Sequence, residues 1–232
     1  PYLHEHNNTN GTLSIPLIKS DHIVVEYYEP KNNIIEPKIN INKVFHAYID
    51  ILNFYNANDN RNCGENVACS SAYDDQENSV IFLDMGGYIC SAALINNTSQ
   101  DLTPYVLTAY HCVENLNPNN FTFYFDHKTS SCSGNSGSYS RSISGSDLKA
   151  SKNMSSSDVA LLEMDDTPPY WWDAYYAGWR RNTSAPIISA GIHHPGGDPM
   201  KINYDNDSAY SCGWYSSSTH WCLAHKITFL FD

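Results

Sequence analysis

The chain is short of charge, and of positive charge above all. Lys and Arg number 13 against 25 Asp and Glu, the net charge is −12, and charged residues are 16% of the 232. No basic run or stripe occurs, which argues against nucleic acid as a partner, because phosphate binding needs clustered Lys and Arg. No apolar run reaches 18 residues, so no membrane-spanning helix is expected. No signal-peptide pattern is visible, and a chain that begins at Pro1 could have lost an upstream leader. The seven cysteines (Cys63, Cys69, Cys90, Cys112, Cys132, Cys212 and Cys222) form no Cys-x-x-Cys pair, which argues against a zinc ribbon or a thioredoxin-like site. Their scattered spacing favours disulfides, an oxidising compartment and hence a secreted protein. Their odd number means that one cysteine is free or is paired outside the chain.

Apolar residues are 41% of the total, enough for the core of one large domain or two small ones. Abundant Asn, Ser, Thr and Tyr suit an extracellular all-β protein. Sequons at Asn10, Asn96, Asn120 and Asn182 are expected by chance where Asn is so common.

Residues 1–60 read as a polar linker with one strand, Ile23–Tyr28, between Asp21 and Pro30, and a second short strand or helical turn at Val44–Ile49. After Cys63 short apolar runs alternate with turn residues, as in a barrel or sandwich. Strands are expected at Ser79–Asp84, Tyr88–Ile95, Tyr105–Thr108, Phe121–Phe125, Val159–Met164, Ile187–Ile192 and Ile227–Phe231. Ser130–Ser157, rich in Ser and Gly, reads as a long surface loop around Cys132. The aromatic cluster from Tyr170 to Trp179 reads as barrel packing, with an exposed part able to wall a substrate site.

Two short motifs bear chemistry. Thr108-Ala109-Tyr110-His111-Cys112 follows an apolar strand, and a strand end is a stiff place to present an imidazole. Cys112 could tie this turn back to Cys90 on the neighbouring strand, closing a loop of about 20 residues and contributing roughly 3 kcal/mol. The second motif is Asp158, which opens the buried run Val159-Ala160-Leu161-Leu162. A carboxylate at the mouth of a buried strand needs hydrogen bonds, and orienting a histidine tautomer would supply one. The bland alternatives are a strand-end histidine beside a disulfide and a solvated turn aspartate. The order His then Asp raises the pair above either part.

Cys90-Ser91-Ala92-Ala93-Leu94-Ile95 with Tyr105–Cys112 resembles the bacterial lysyl endopeptidase group of trypsin-like serine proteases. So do Asp158–Glu163, Tyr176-Ala177-Gly178-Trp179 and Gly191-Ile192-His193-His194-Pro195, so that the resemblance covers about residues 60–232. It implies an all-β, chymotrypsin-like double β-barrel. It also implies a general base at His111 and its orienting carboxylate at Asp158, acting on a polypeptide substrate with no metal or cofactor, in a protein that is a monomer when complete. The family's disulfides imply Cys90–Cys112 and Cys69–Cys132, and give Cys63 a partner beyond Asp232. That leaves Cys212 and Cys222 to pair with each other across a hairpin. Trp214 falls where the family carries an aromatic near the catalytic histidine. Residues 1–60 resemble the end of a pro-region, with 61–232 the protease domain.

The family's Gly-x-Ser-Gly nucleophile turn, its oxyanion-hole amides and its acidic residue for lysine recognition have no counterpart after Asp158. The expectation is therefore a serine endopeptidase fragment with an incomplete second barrel, inactive alone, to which lysine preference does not carry over. The alternative is a catalytically dead protease-fold binding module. Gly134-Asn135-Ser136-Gly137-Ser138 mimics the nucleophile motif but lies between His111 and Asp158, the wrong chain order. His193 and His194, adjacent on a strand, point to opposite faces and make a poor chelating pair. His4 and His6 could chelate but lie in the linker.

Overall fold

A computed structural model describes residues 11–29, 31–32, 38–46, 64–214 and 217–223. Its elements in chain order are β1 (Glu65–Asn66), the one-turn helix α1 (Asp74–Glu77), β2 (Val80–Asp84), β3 (Ile89–Ile95), β4 (Tyr105–Thr108), the one-turn helix α2 (Tyr110–Val113), β5 (Thr122–Phe125), β6 (Arg141–Ser144), β7 (Ser146–Lys152), β8 (Val159–Met164), β9 (Ser189–His193), β10 (Lys201–Asp205), β11 (Tyr210–Trp214) and β12 (Ser217–Cys222).

Seven strands form one antiparallel sheet in the order β6-β5-β2-β3-β4-β8-β7. The two ends of that order are consecutive in the chain, separated only by Gly145. The sheet therefore closes on itself. One bent strand pairs with β5 through its first half and with β8 through its second. Gly145 is the corner: its N–H donates to the Phe121 carbonyl at 2.8 Å, and its own carbonyl accepts from Asp165 N–H at 3.1 Å. Its φ of 88° lies in the left-handed region open to glycine. Closure removes the exposed strand edges that an open sheet would present.

Alternation along the strands builds the interior. On β3 Cys90, Ala92 and Leu94 point inward, and on β8 Ala160, Leu162 and Met164 do so. Strands β2 and β5 have no exposed face at all. Ile81, Leu83, Phe123 and Phe125 fill the barrel. Val80, on the outer face, packs with Ile202 of a three-stranded sheet ordered β1-β10-β9 and with Val67 and Met200, which flank β1 and β10. The unbroken apolar run of β2 thus reflects burial on both sides. The hairpin β11–β12 stands as a separate two-stranded sheet.

The barrel gives the all-β, chymotrypsin-like architecture expected from the sequence, with the three-stranded sheet and the hairpin as the described part of the second unit. Three local expectations change. Ile23–Tyr28 forms no strand: it pairs with nothing in a ladder, and Val24 is 88% exposed. Ser130–Ser157 is not all loop but contains β6 and β7. Nearly every residue of β7 is exposed, so no apolar alternation marks it, and its extended state is imposed by pairing with β8. The strand expected at Ile187–Ile192 begins at Ser189, with Ile187 and Ile188 exposed. Ile227–Phe231, and the part of Val44–Ile49 beyond residue 46, lie outside the described residues.

Candidate active site

Strand register brings the two chemistry-bearing motifs together. β4 and β8 pair antiparallel with Thr108 opposite Ala160. Just beyond that pair the chain turns into α2, which sets His111 beside Asp158, the residue before β8. His111 lies in α2, which turns the chain directly after β4. Cys112 is bonded to Cys90 of β3, with Cα atoms 6.3 Å apart, which fixes α2 to the barrel wall.

Asp158 touches His111 twice. Its Oδ1 accepts the His111 backbone N–H at 2.9 Å, and its Oδ2 lies 2.6 Å from His111 Nδ1. A carboxylate can only accept, so Nδ1 carries the hydrogen and Nε2 of the neutral ring carries the lone pair. The two side chains are 24% and 14% exposed, which leaves the pair partly shielded, with Nε2 itself buried. This arrangement can hold an imidazole in one tautomer and stabilise it when Nε2 takes a proton.

Asp158 has φ 45°, a left-handed conformation that Asp and Asn tolerate better than most residues. The six-residue loop between β7 and β8 holds it there. The Asn153 carbonyl accepts from Asp158 N–H at 3.1 Å and from Ser156 N–H at 3.0 Å. Sequence reasoning did not single out Asn153; its signal is a turn-forming Asn between an exposed strand and Asp158.

Ser91 was also missed. Its carbonyl accepts from Thr108 Oγ1 at 3.0 Å, and its hydroxyl accepts from His194 N–H at 2.8 Å. It thus links β3 to β4 on one side and to the three-stranded sheet on the other. A serine inside a buried strand, beside a cysteine, is the visible trace of that role.

The other candidates fall elsewhere. Ser136 is exposed in irregular chain, and the neighbouring Gly137 packs on His127. His127 gives its Nδ1–H to the Ser138 carbonyl at 3.1 Å. His193 and His194 are both buried. Cys69 is bonded to Cys132, and Cys212 to Cys222. Cys63, His4, His6 and the side chain of Trp214 lie outside what is described. Among the described residues one trio of possible metal ligands converges, Cys90, His111 and Cys112, but both sulfurs are spent on a disulfide and offer no thiolate. Of the aromatic cluster, Trp172 and Tyr176 pack on the barrel core, while Tyr170 and Trp171 stand exposed.

A closed six-stranded barrel that holds a histidine after one strand against an aspartate before its neighbour defines an all-β protein of the chymotrypsin-like class. The chain belongs to the lysyl endopeptidase family: the family model described as "Lysyl endopeptidase, C-terminal domain" matches residues 57–228. A lysyl endopeptidase of Pseudomonas aeruginosa is 31% identical over a 136-residue match that covers 54% of this chain and 28% of that relative. The chain therefore matches well under a third of that relative's length. Solved structures overlay in part. The Rv3671c protease of M. tuberculosis in its inactive form has a TM-score of 0.40 at 16% identity, covering 62% of this chain and 59% of its own. A scabies mite inactivated protease paralogue has a TM-score of 0.39 at 18% identity, covering 61% and 63%.

Proposed function

We propose that these residues belong to a secreted serine endopeptidase in which His111 is the general base and Asp158 its orienting carboxylate. The observation that supports this most is the two-point contact between them, 2.9 and 2.6 Å. His111 Nε2 takes the proton from a serine hydroxyl as it attacks a peptide carbonyl, then returns it to the leaving amine. Asp158 keeps Nδ1 protonated throughout and offsets the charge on the imidazolium.

In this reading residues 1–60 end a pro-region and 61–232 begin the protease domain. The nucleophilic serine and the oxyanion-hole amides come from sequence other than these 232 residues. Three disulfides, at Cys69–Cys132, Cys90–Cys112 and Cys212–Cys222, support an extracellular setting. The substrate is a polypeptide; the side chain it prefers is not assigned.

The purified 232-residue chain should show no peptide hydrolysis above background and no labelling by a fluorophosphonate probe. Stoichiometric labelling would overturn this assignment, because it would require a competent serine within the chain.

A further inference from the structure

We infer that His127 and His194 form an acid-released latch between the barrel and the three-stranded sheet. The two rings come from opposite sides of that junction. His127 follows β5, and His194 follows β9. Both are almost fully buried, at 1% and 5% exposure, with ring centroids 5.5 Å apart. Phe82 of β2 packs against both, at 5.1 and 5.5 Å, and Tyr139 closes over His127 at 4.1 Å.

Each ring is committed to its neutral form. His127 Nδ1 and His194 Nδ1 lie 3.1 and 3.0 Å from the Ser138 and Asp198 carbonyls. A carbonyl can only accept, so Nδ1 bears the hydrogen in both and Nε2 bears the lone pair. The Nε2 of His194 is buried with no hydrogen-bond partner among the described residues. A proton added there would create an N–H with nothing to donate to and a charge in an aromatic cluster.

Only backbone groups offset that cost. Burial pushes His194 down to about 3, helped by the nearby His127 and His193 and opposed only by the Asp198 backbone. Burial likewise pushes His127 down to about 4, against the Ser138 and Gly197 backbone. The charged groups on the packed elements are engaged elsewhere. Asp84 of β2 accepts from Gly86 N–H. Lys128 pairs with Glu77 and Asp126. Lys201, opposite His193, donates to Asn66 Oδ1, and Asp205 accepts from Asp207 N–H.

The junction has other ties: Val80 packs on Val67, Met200 and Ile202, Asn66 Nδ2 donates to the Cys132 and Gly134 carbonyls, both at 2.8 Å, and Cys69 is bonded to Cys132. Met200 N–H donates to the His127 carbonyl at 2.9 Å, and His194 N–H to Ser91 Oγ at 2.8 Å. Protonating both rings places two like charges in this junction and loosens the packing of the sheet on the barrel, which stay joined through Cys69–Cys132. His111 and Asp158 both sit on the barrel, away from this contact. Acid therefore loosens the junction reversibly.

Native-state hydrogen exchange on the full chain, corrected for intrinsic rates, tests this. The junction reporters are the amides of Met200 and His194; the barrel reporters are Leu94 and Gly145. Between pH 6.5 and 4.5 the junction amides should lose on the order of 10³-fold of protection, up to tenfold per pH unit for each ring, while the barrel amides keep theirs. In the His127→Asn/His194→Asn variant, where Asn Nδ2 replaces the Nδ1–H donor, that loss should shrink to a few-fold. Unchanged junction protection, equal loss at all four amides, or the same loss in the variant would overturn the latch. Where the variant fails to fold, NMR titration of the His194 ring in the native chain decides. Ring protonation coinciding with loss of Met200 protection supports the latch. A ring that titrates near 6.5 with Met200 still protected overturns it.

Discussion

Asp158 meets His111 at two points, and the two contacts do different work. Oδ1 fixes the backbone of α2 through the His111 N–H, and Oδ2 fixes the ring. Asp158→Asn separates them. Asn keeps an oxygen for the backbone contact and tolerates the φ of 45°, so the fold should survive. The amide NH₂ cannot accept from Nδ1–H, so the ring turns to the other tautomer and Nε2 loses its lone pair. In the protein that carries the nucleophile, kcat should fall about 10⁴-fold while the thermal midpoint hardly moves. A variant with unimpaired turnover would show that Asp158 has no orienting role. At this scale much was legible, because His111 and Asp158 lie in short runs whose apolar flanks announce strand ends. Asn153 and Ser91 were not, because each acts through a backbone carbonyl that no side-chain pattern reveals.

The strands most legible in the sequence are those buried on one face or two. β3 and β8 alternate inward and outward, and β2 and β5 are apolar throughout. β6 and β7 were invisible because β6 carries a single apolar residue, Ile143, β7 is exposed along nearly its whole length, and the extended state of both comes from their partners. The closing corner between them should therefore be sensitive to backbone chemistry alone. An alanine at 145 would sit at φ 88° with its Cβ against Asp165 Oδ2. The carboxylate can swing away, but the left-handed backbone remains. Gly145→Ala should cost about 1–2 kcal/mol and Gly145→Asn less, measured by urea unfolding. Equal stability of all three proteins would mean that the corner is not strained for L-residues.

At the level of the whole molecule, one barrel is anchored to one smaller sheet through a junction lined by histidines. The folded-state value of His194, about 3, lies below its ordinary 6.5. The unfolded chain thus binds the proton first, so stability is complete above pH 6.5 and falls as pH drops below it. Asp165 acts with the opposite sign: burial, with the nearby Asp147 and Asp166, holds it up at about 6, so the folded state takes up that proton early. A difference measurement removes the offset. From pH 6.5 to 5 the unfolding free energy of the native chain should fall relative to His194→Asn by about 1.4 kcal/mol per pH unit. A pH-independent difference would mean that His194 is not buried neutral. None of this junction was legible in the sequence, where His193-His194 suggested only an unsuitable metal site. Its meaning depends on His127, brought alongside by the packing of two sheets.

The central claim is that His111 and Asp158 are the base and orienting carboxylate of a serine endopeptidase. The most direct test is kcat/KM for peptide hydrolysis by the natural full-length protein, compared with its His111→Ala variant. The account predicts a hydrolase whose rate falls by 10⁴-fold or more on that one change, on the order of the loss seen when a triad base is removed. Hydrolysis that survives His111→Ala, or no hydrolysis by the parent protein, would contradict it.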